Sequence, residues 1–382
     1  MTKVKLGDVV ERIKDFVDKD KTELVYYVGG EHFDNRSLTI NNKGIIKGST
    51  IGPAFSTKFK SGDVLLMSRN PHLRKAGIVD FDGICSDVSY IIRTKDEQVL
   101  MQRFIPLLFQ SDLFWNFAEK NKKGSTNFFL NWSDFEKFEF ELPKHDIQEK
   151  LCRTLWSLNN TINYYKELNR KNDELIKAIF MERFEENGFP LKKLSEVTSK
   201  ITDGSHNPPK GINGKSDFMM LSSQNIVNDK INFENAKYIT AEDHEKENKR
   251  TNLERGDVLL TIVGTIGRAA IVSNEKNITL QRSVAVLKPL DIVTSEYLVE
   301  AIKSDDVVKQ LNKRAKGVAQ KGIYLNDLKE LLIPVPPIEL QNQFSEFVKQ
   351  IHNQKDQLEE GISSLQIMFA KIINQNLRKE NE

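Results

Sequence analysis

Hydrophobic residues recur at alternating steps of four and three in two long stretches of the chain. One stretch follows Pro143 and the other follows Pro336-Pro337, and no proline interrupts either. This alternation over several heptads is typical of a coiled-coil seam, and each helix of roughly 40 residues should measure about 60 Å. Gly188 and Pro190 should end the first helix. The predicted seam residues are Leu151, Leu155, Leu158, Ile162, Tyr165 and Ile176, then Phe344, Val348, Ile351, Leu358, Ile362 and Leu365.

The two stretches belong to an internal repeat. An offset of 193 residues places the second seam on the first, Lys316-Gly317 on Lys123-Gly124, and Gln341 on Gln148. Gly256-Asp257-Val258-Leu259-Leu260 repeats Gly62-Asp63-Val64-Leu65-Leu66 within one residue of that offset. Such ordered matches indicate duplicated halves, each a globular part followed by a helix. The expected boundaries are 1–144 for the first globular domain, 145–187 for its helix, 188–337 for the second domain and 338–382 for the second helix.

A lone helix of this kind would expose its apolar seam to water, so we expect the two helices to pair. A twofold-like relation between the halves would make them antiparallel, with Leu151 opposite Ile372 and Asn169 near Lys355. A polar pair on an apolar seam fixes register and direction. The alternatives are that each helix packs on its own domain, or that the chain dimerises through the helices.

The globular halves mix strand and helix patterns. In the second half, residues 218–221, 257–263 and 283–287 are candidate strands, whereas 296–302 and, in the first half, 104–109 are candidate helices. This mixture favours an α+β domain over a pure sandwich or a Rossmann unit. The sequence therefore predicts a mixed α/β fold of two duplicated α+β domains, joined by two antiparallel helices with a pseudo-twofold relation.

Composition narrows the class of protein without supplying chemistry. Hydrophobic residues make up 39% and charged residues 29%, and no apolar run reaches the length of a membrane span. The N-terminus has no apolar segment typical of a secretory signal. Cys85 and Cys152 have no CxxC partner, which excludes a disulfide framework and a cysteine-based zinc site. We therefore expect a soluble, cytoplasmic protein, whose net charge of +2 requires any nucleic-acid patch to be local.

Three features resemble catalytic or metal sites but lack an essential part. Asn207-Pro208-Pro209-Lys210 has the core of an amino-methyltransferase motif, yet Lys210 stands where an aromatic residue must stack on the base. Gly214-Lys215-Ser216 resembles the end of a P-loop, yet Pro209 occupies the position of the required glycine. The six histidines are scattered and form no HExxH motif. We expect no catalytic residue, metal or cofactor in this chain.

Polar and basic loops in corresponding parts of both halves remain. Arginine, asparagine, glutamine, serine and histidine can pair with base edges, and lysine beside glycine and serine suits phosphates. One such loop is more often a solvated surface, but the duplication favours binding. The candidate DNA-binding residues are Lys47, Ser49, Arg69, Asn70, His72, Arg74, Lys75, Lys122, Lys123, Ser125, Thr126, Asn127, Ser205, His206, Asn207, Lys210, Ser223, Gln224, Asn225, Thr265, Arg268, Gln281, Arg282, Lys316, Gln320 and Lys321.

The whole arrangement resembles the specificity subunit of type I restriction-modification enzymes. The resemblance covers nearly the whole chain, and Arg69-Asn70-Pro71 replaces the glycine-rich turn in the first half. Its local signatures are Ile201-Thr202-Asp203-Gly204-Ser205-His206, Gly256-Asp257-Val258-Leu259-Leu260 with Gly264-Thr265-Ile266-Gly267, and Ile333-Pro334-Val335-Pro336-Pro337 leading to Gln341.

The resemblance implies that each globular half is a target recognition domain reading one part of a split, asymmetric site in double-stranded DNA. The helices would hold the domains apart and set the length of the unread spacer. Two methyltransferase subunits would dock around the helices and carry S-adenosylmethionine, and an ATP-dependent restriction subunit could join them. This chain would be catalytically silent. The alternatives are a duplicated-domain scaffold or protein-interaction protein, and an enzyme fused to a DNA-binding part, which the lack of a catalytic motif disfavours.

Overall fold

The computed structural model describes residues 2–317 and 321–377. The chain divides into two compact units. Unit 1 comprises the chain up to Glu167 together with the chain from Leu358 onward, and unit 2 comprises Leu168–Gln357.

The first half contains short strands and short helices followed by one long helix. Its strands are β1 (Thr2–Lys5), β2 (Val10–Ile13), β3 (Tyr26–Val28), β4 (Gly44–Ile45), β5 (Phe55–Phe59), β6 (Val64–Met67), β7 (Ala76–Ile78), β8 (Gly83–Ser86), β9 (Ser89–Thr94) and β10 (Glu139–Leu142). Its helices are α1 (Leu6–Val9), α2 (Ile105–Leu108), α3 (Asp112–Asn121), α4 (Trp132–Phe135) and α5 (His145–Phe180).

The second half has a similar order, with helix α7 where the first half has strand β5 and with an additional hairpin of β14 and β15. Its strands are β11 (Leu191–Lys193), β12 (Thr198–Asp203), β13 (Met219–Leu221), β14 (Ile226–Val227), β15 (Lys230–Ile231), β16 (Lys237–Tyr238), β17 (Val258–Thr261), β18 (Ala269–Ile271), β19 (Ile278–Leu280), β20 (Val284–Pro289) and β21 (Leu332–Pro334). Its helices are α6 (Leu194–Val197), α7 (Ala241–Thr251), α8 (Ser295–Lys303), α9 (Asp305–Arg314), α10 (Leu325–Lys329) and α11 (Ile338–Leu377).

The sheets of the two halves have matching topologies. An antiparallel sheet has the order β2-β9-β6-β7 in the first half and β12-β20-β17-β18 in the second. Beside it, β3 pairs in parallel with β8, and β13 pairs in parallel with β19. A further antiparallel pair joins β1 to β10 and β11 to β21. The predicted duplicated, mixed α/β architecture is confirmed.

The central strands are buried on both faces, which explains their continuous apolar sequences. In unit 1, Val64 and Leu66 of β6 face a core that includes the helices, whereas Leu65 points into a second core between the sheets. In unit 2, Val258 and Leu260 of β17 face the helical core and Leu259 the other one. The alternation of side chains along a strand distributes one hydrophobic run between two cores.

The glycine-aspartate pair before these strands builds an ion pair under a turn. Gly62 and Gly256 have φ angles of +90° and +92°, which favour glycine. In unit 1 the buried Asp63 accepts from Arg93 Nε at 2.5 Å, and in unit 2 the buried Asp257 lies 2.8 Å from Lys288 Nζ. The repeated sequence motif therefore has a structural role in each half.

The long helices begin where the prolines predicted, at His145 and Ile338. A π-helical turn at Met181–Glu185 follows α5, and Gly188 then adopts a φ of +67°. No helix in the described ranges is long and apolar enough to cross a membrane.

The helices α5 and α11 pack against each other within each unit. In unit 1, Leu151 and Leu155 share a core with Ile373 and Leu377. In unit 2, the rings of Phe180 and Phe344 lie 5.7 Å apart, and Lys355 pairs with Asp173 further along both helices. The partners run in opposite directions, so the predicted antiparallel pairing is confirmed, and every predicted seam residue is buried or half-buried.

The polar contact on the seam includes a residue that the sequence did not indicate. Lys355 contacts Asp173, one turn beyond Asn169, because the exposed carboxylate can accept the ammonium at the edge of the seam. The Asn169 Oδ1 is buried and has no hydrogen-bond partner among the described residues. The polar contact between the two helices at this point is therefore a charged pair between Lys355 and Asp173.

Candidate nucleic-acid interface

Loops that are far apart in the sequence of the second half meet at one end of its sheets. Ser205 forms a β-bridge with Gln281, and its carbonyl accepts from the Arg282 backbone N–H at 2.9 Å. The Ser223 backbone N–H donates to Ser283 Oγ at 3.1 Å. The fold therefore brings three of the predicted loops together.

A groove of about 570 Å³ opens beside these loops. Arg282, Lys316, Tyr324 and Asn326 line it, together with the buried Asp203. Arginine and asparagine can make paired hydrogen bonds to purine edges, and an exposed aromatic ring offers a stacking or apolar surface. The groove therefore has the side chains of a nucleic-acid reader.

Asp203 organises one wall of the groove. Its Oδ2 lies 2.8 Å from His206 Nε2, and its carbonyl accepts from Arg250 Nε at 2.9 Å. Arg250 NH2 also donates to the Asp203 carboxylate. The aspartate neutralises Arg250 and holds His206 at the surface, where the imidazole can contact a ligand.

Two β-bridges to Gly322 position the basic loop of unit 2, which carries Lys316 and Lys321. Lys316 and Val263 each form a β-bridge with Gly322, and the Gly264 N–H donates to the Lys321 carbonyl at 3.1 Å. This places Lys321 beside the turn that carries Thr265 and Arg268. Gly264 and Gly267 in that turn have φ angles of +83° and +94°, which a side chain would strain.

The first half builds the same contact from its own residues. Lys123 and Arg69 each form a β-bridge with Phe129, and the Asn70 N–H donates to the Phe128 carbonyl at 2.8 Å. An ion pair between Lys123 and Asp134 at 3.8 Å repeats the pair between Lys316 and Asp327 at 3.2 Å. Each unit therefore presents two adjacent polar loops on an equivalent scaffold.

Some candidate side chains are occupied inside the fold. Arg74 pairs with Asp112 at 2.6 Å and holds the pKa of that carboxyl below its usual range. Lys75 Nζ donates to the Gly30 carbonyl at 2.6 Å, and Lys122 pairs with Glu119 at 2.7 Å. These three residues stabilise loops and offer fewer free donors than the sequence suggested.

Asn225 is a structural residue of its turn. Its side chain is 2% exposed, and its Nδ2 donates to the carbonyls of Asn232 and Glu234. Its Oδ1 accepts from the Ser222 N–H at 2.9 Å. Because the amide is fully used, the expectation that Asn225 meets a base edge needs correction.

The candidates differ in exposure. Ser205 is buried, and Ser49, Asn70, Ser223 and Gln281 are half-buried. Gln320 lies outside the described residues. The exposed candidates are Lys47, Arg69, His72, Lys123, Ser125, Thr126, Asn127, His206, Asn207, Lys210, Gln224, Thr265, Arg268, Arg282, Lys316 and Lys321.

Sequence reasoning missed Arg250, Tyr324 and Asn326. Tyr324 is 66% exposed and lies beneath Lys316, whose Nζ is 5.4 Å from the ring centroid. An aromatic residue shortly after a basic loop was the available signal for this pair. Arg250 gave no signal, because it lies in the last turn of a helix with charges of both signs and reaches the groove only through the packing of that helix.

The surroundings of two cysteines and of one cluster of potential metal ligands explain why these groups are present. Burial raises the pKa of the Cys85 thiol to about 12 and that of Cys152 to about 11, so neither is a thiolate at neutral pH. Ligand atoms of Asp229, Glu300 and His352 lie within 4.8 Å of one another. The Lys303 ammonium lies 2.6 Å from Asp229 and 3.0 Å from Glu300, so a lysine already supplies the positive charge there.

The family described as the type I restriction modification DNA specificity domain matches residues 1–173 and 191–365. The chain belongs to this family. It is a DNA-binding specificity subunit, and its role is recognition rather than catalysis.

Relatives agree with this assignment. The chain is 33% identical over 117 residues to the type I restriction enzyme EcoBI specificity subunit of Escherichia coli, covering 30% of this chain and 25% of that one. It is 23% identical over 413 aligned positions to the MjaVIII specificity subunit of Methanocaldococcus jannaschii, covering 98% and 93%.

Solved structures share the fold. A chain from work on complex assembly and conformational transition of the type I R-M system has a TM-score of 0.56 at 20% identity, covering 100% of this chain and 98% of that one. The type I S subunit of M. genitalium has a TM-score of 0.55 at 16% identity, with coverage of 100% and 96%.

Proposed function

We propose that the loop surface of each unit reads one part of a bipartite, asymmetric site in double-stranded DNA. The observation that carries this proposal is that the Ser205, Ser223 and Arg282 loops of unit 2 contact one another beside a groove that Arg282 lines. The equivalent loops of unit 1 support a second, different reader. The recognition domains are residues 1–144 and 188–337, and 145–187 and 338–382 are the spacer helices.

Different groups serve specificity and affinity. Arg282 lines the groove, and its side chain forms no ion pair with any described residue, so its paired donors are free for a base edge. Lys321 is exposed beside a turn of glycine and threonine, an environment that suits a phosphate. Unit 1 presents Arg69 and Asn127 in the corresponding loops.

The partners are methyltransferase subunits, and two of them dock around α5 and α11. They carry S-adenosylmethionine and the adenine chemistry, and ATP-dependent restriction subunits can join the complex. Support comes from the family and from the relatives, which are type I restriction enzyme subunits. The assembly works in the cytoplasm, where chromosomal DNA is accessible.

The test uses the purified full-length chain with and without its matching methyltransferase subunits. The chain alone is expected to leave DNA unmethylated, and the complex to methylate adenines in one bipartite sequence. Methyl transfer by the chain alone, or methylation by the complex without sequence preference, would overturn the proposal.

A further inference from the structure

A cavity of about 230 Å³ lies in unit 1 between residues 34–38 and the two long helices. Leu38, Ile162 and Asn159 are its buried lining residues, and the exposed Arg36 and Lys166 stand at its opening. None of its lining residues is among the candidate DNA-binding residues.

The cavity contains a polar group without a partner. Asn159 is only 8% exposed, and its Nδ2 has no hydrogen-bond partner among the described residues. A buried donor of this kind costs free energy unless something accepts its hydrogen bond. Asn159 therefore offers an unused donor to a ligand in the cavity.

Unit 2 fills the corresponding place with its own charges. At the offset of 193 residues, Asp229 replaces Arg36, Lys303 replaces Gln110 and His352 replaces Asn159. Arg36 and Asp229 have similar positive φ angles, 56° and 61°, so the turns match. Lys303 Nζ lies 2.6 Å from Asp229, and His352 Nε2 lies 3.8 Å from the same carboxylate.

In the cavity of unit 1, basic side chains outnumber acidic ones. The side chains of Arg36 and Lys166 form no ion pair or hydrogen bond with any described residue, and Asp34 is the acidic residue of the lining. Guanidinium and ammonium groups beside amide donors match the oxygens of phosphate and carboxylate. The volume is below the range usual for drug-sized ligands, which limits the occupant to a small molecule.

We infer that this cavity binds a small phosphate- or carboxylate-bearing molecule. Arg36 and Lys166 hold its anionic group, Asn159 Nδ2 donates to one of its oxygens, and Leu38, Ile162 and Phe369 contact its remainder. The ligand joins the recognition domain to both helices within unit 1 and stabilises that unit by binding its folded state.

The experiment is calorimetric titration of the full-length chain in low-salt, phosphate-free buffer. Inorganic phosphate and succinate are the two probes, so the arms separate phosphate from carboxylate recognition. We expect saturable binding of one equivalent of at least one probe, and a higher unfolding temperature in its presence. No DNA is required, so the result is independent of the proposed recognition function.

Two variants test whether the anion binds in this cavity. The double variant R36Q/K166Q should weaken binding about tenfold or more, because charge-assisted hydrogen bonds are lost. Ala370→Trp, at an exposed lining position, should abolish binding by filling the cavity without changing the charge. The matched control K14Q/K150Q removes two exposed charges elsewhere in unit 1 and should bind as the unmodified chain does.

Three results would overturn the inference. One is the absence of binding by both probes at millimolar concentration. Another is wild-type affinity in Ala370→Trp, which would place the anion elsewhere. The third is equal weakening in the control and in R36Q/K166Q, which would show that general surface charge attracts the anion.

Discussion

Gln148 and Gln341 make the same three hydrogen bonds in the two halves of the chain. Gln148 Oε1 accepts from the Met101 N–H at 3.0 Å, and its Nε2 donates to the Val99 and Pro143 carbonyls at 2.9 Å. Gln341 bonds in the same way to Thr294 at 3.0 Å and to Ile292 and Pro336 at 2.9 Å. Both glutamines are fully buried, and each ties the start of a long helix to its own globular domain.

Replacing either glutamine with leucine should destabilise the unit that contains it. Gln148→Leu removes the partner of one half-buried N–H and of two carbonyls, and Gln341→Leu does the same in unit 2. We expect a loss of about 3 kcal/mol in the free energy of unfolding for each. Chemical denaturation, followed by hydrogen exchange at the affected loops, measures the loss and its location.

Gln343→Leu is the matched control, because Gln343 is exposed two positions further along α11. It should change the free energy of unfolding by less than about 0.5 kcal/mol. Similar losses in the control and in Gln341→Leu would show that the buried hydrogen bonds do not stabilise the helix start.

His352 should make unit 2 sensitive to mild acid. Burial lowers the pKa of its imidazole below the ordinary value of 6.5, and Lys303 and Lys355 act in the same direction against Asp229 and Asp173. Above that ordinary pKa the histidine is neutral in both folded and unfolded chains. As the pH falls below it, the unfolded chain takes up a proton that the folded chain resists, and stability is lost.

The comparison is between the wild-type chain and His352→Asn, which introduces the residue found at the equivalent position of the first half. The wild type should lose more stability than the variant between pH 7.5 and pH 5.5, as read from urea midpoints. His72→Asn, at an exposed position in unit 1, serves as the control. Parallel pH profiles for wild type and His352→Asn would refute the assignment.

Arg282 and Lys321 should respond differently to substitution. Arg282→Ala should cost about 1–3 kcal/mol on the cognate sequence and relax preference at one base position. Lys321→Ala should weaken binding to all sequences alike and reduce the salt-dependence slope by about one. Arg255→Ala is the control, because Arg255 is exposed and precedes β17, whereas the turn that carries Thr265 and Arg268 follows that strand. This variant should bind DNA as the wild type does. Fluorescence anisotropy at several salt concentrations distinguishes the three.

The continuous helices should determine the spacer of the recognised site. Both α5 and α11 pass from one unit into the other without interruption. Four residues added near Tyr165 and four near Leu358 lengthen each helix by about 6 Å. At about 3.4 Å per base pair, the spacer should grow by one or two base pairs with both recognised parts unchanged.

An insertion into one helix alone should give a less active complex, because the seam residues beyond it lose their partners. The spacer length is read from the methylated motif. An active double-insertion complex with an unchanged spacer would show that the helices do not set the distance.

Sequence periodicity predicted the parts of this fold that depend on local pattern. The long helices begin at His145 and Ile338, where the prolines and the heptad pattern placed them, because a seam is a property of one continuous segment. The repeat likewise indicated that the two halves share one architecture, but it did not give the order of the strands. The apolar pattern did not predict that Lys355 pairs with Asp173. Residues one turn apart, such as Asn169 and Asp173, lie on the same face of a helix, and the pattern does not distinguish them.

The candidate interface was less predictable because it is formed by tertiary contacts. Residue type made Arg282 and Lys321 candidates, but it could not reveal that Arg74 is paired with Asp112 or that Asn225 is enclosed in its own turn. Arg250 was missed because its position in the sequence gives no indication of binding. Only the packing of its helix brings it to Asp203.

The most direct test of separate recognition is to map methylated adenines across a genome after exchanging residues 1–144. The exchange uses the corresponding domain of another specificity subunit, and a strain without this chain gives the background. The account predicts that one part of the methylated motif changes while the other part and the spacer stay the same. A change in both parts, or in neither, would contradict it.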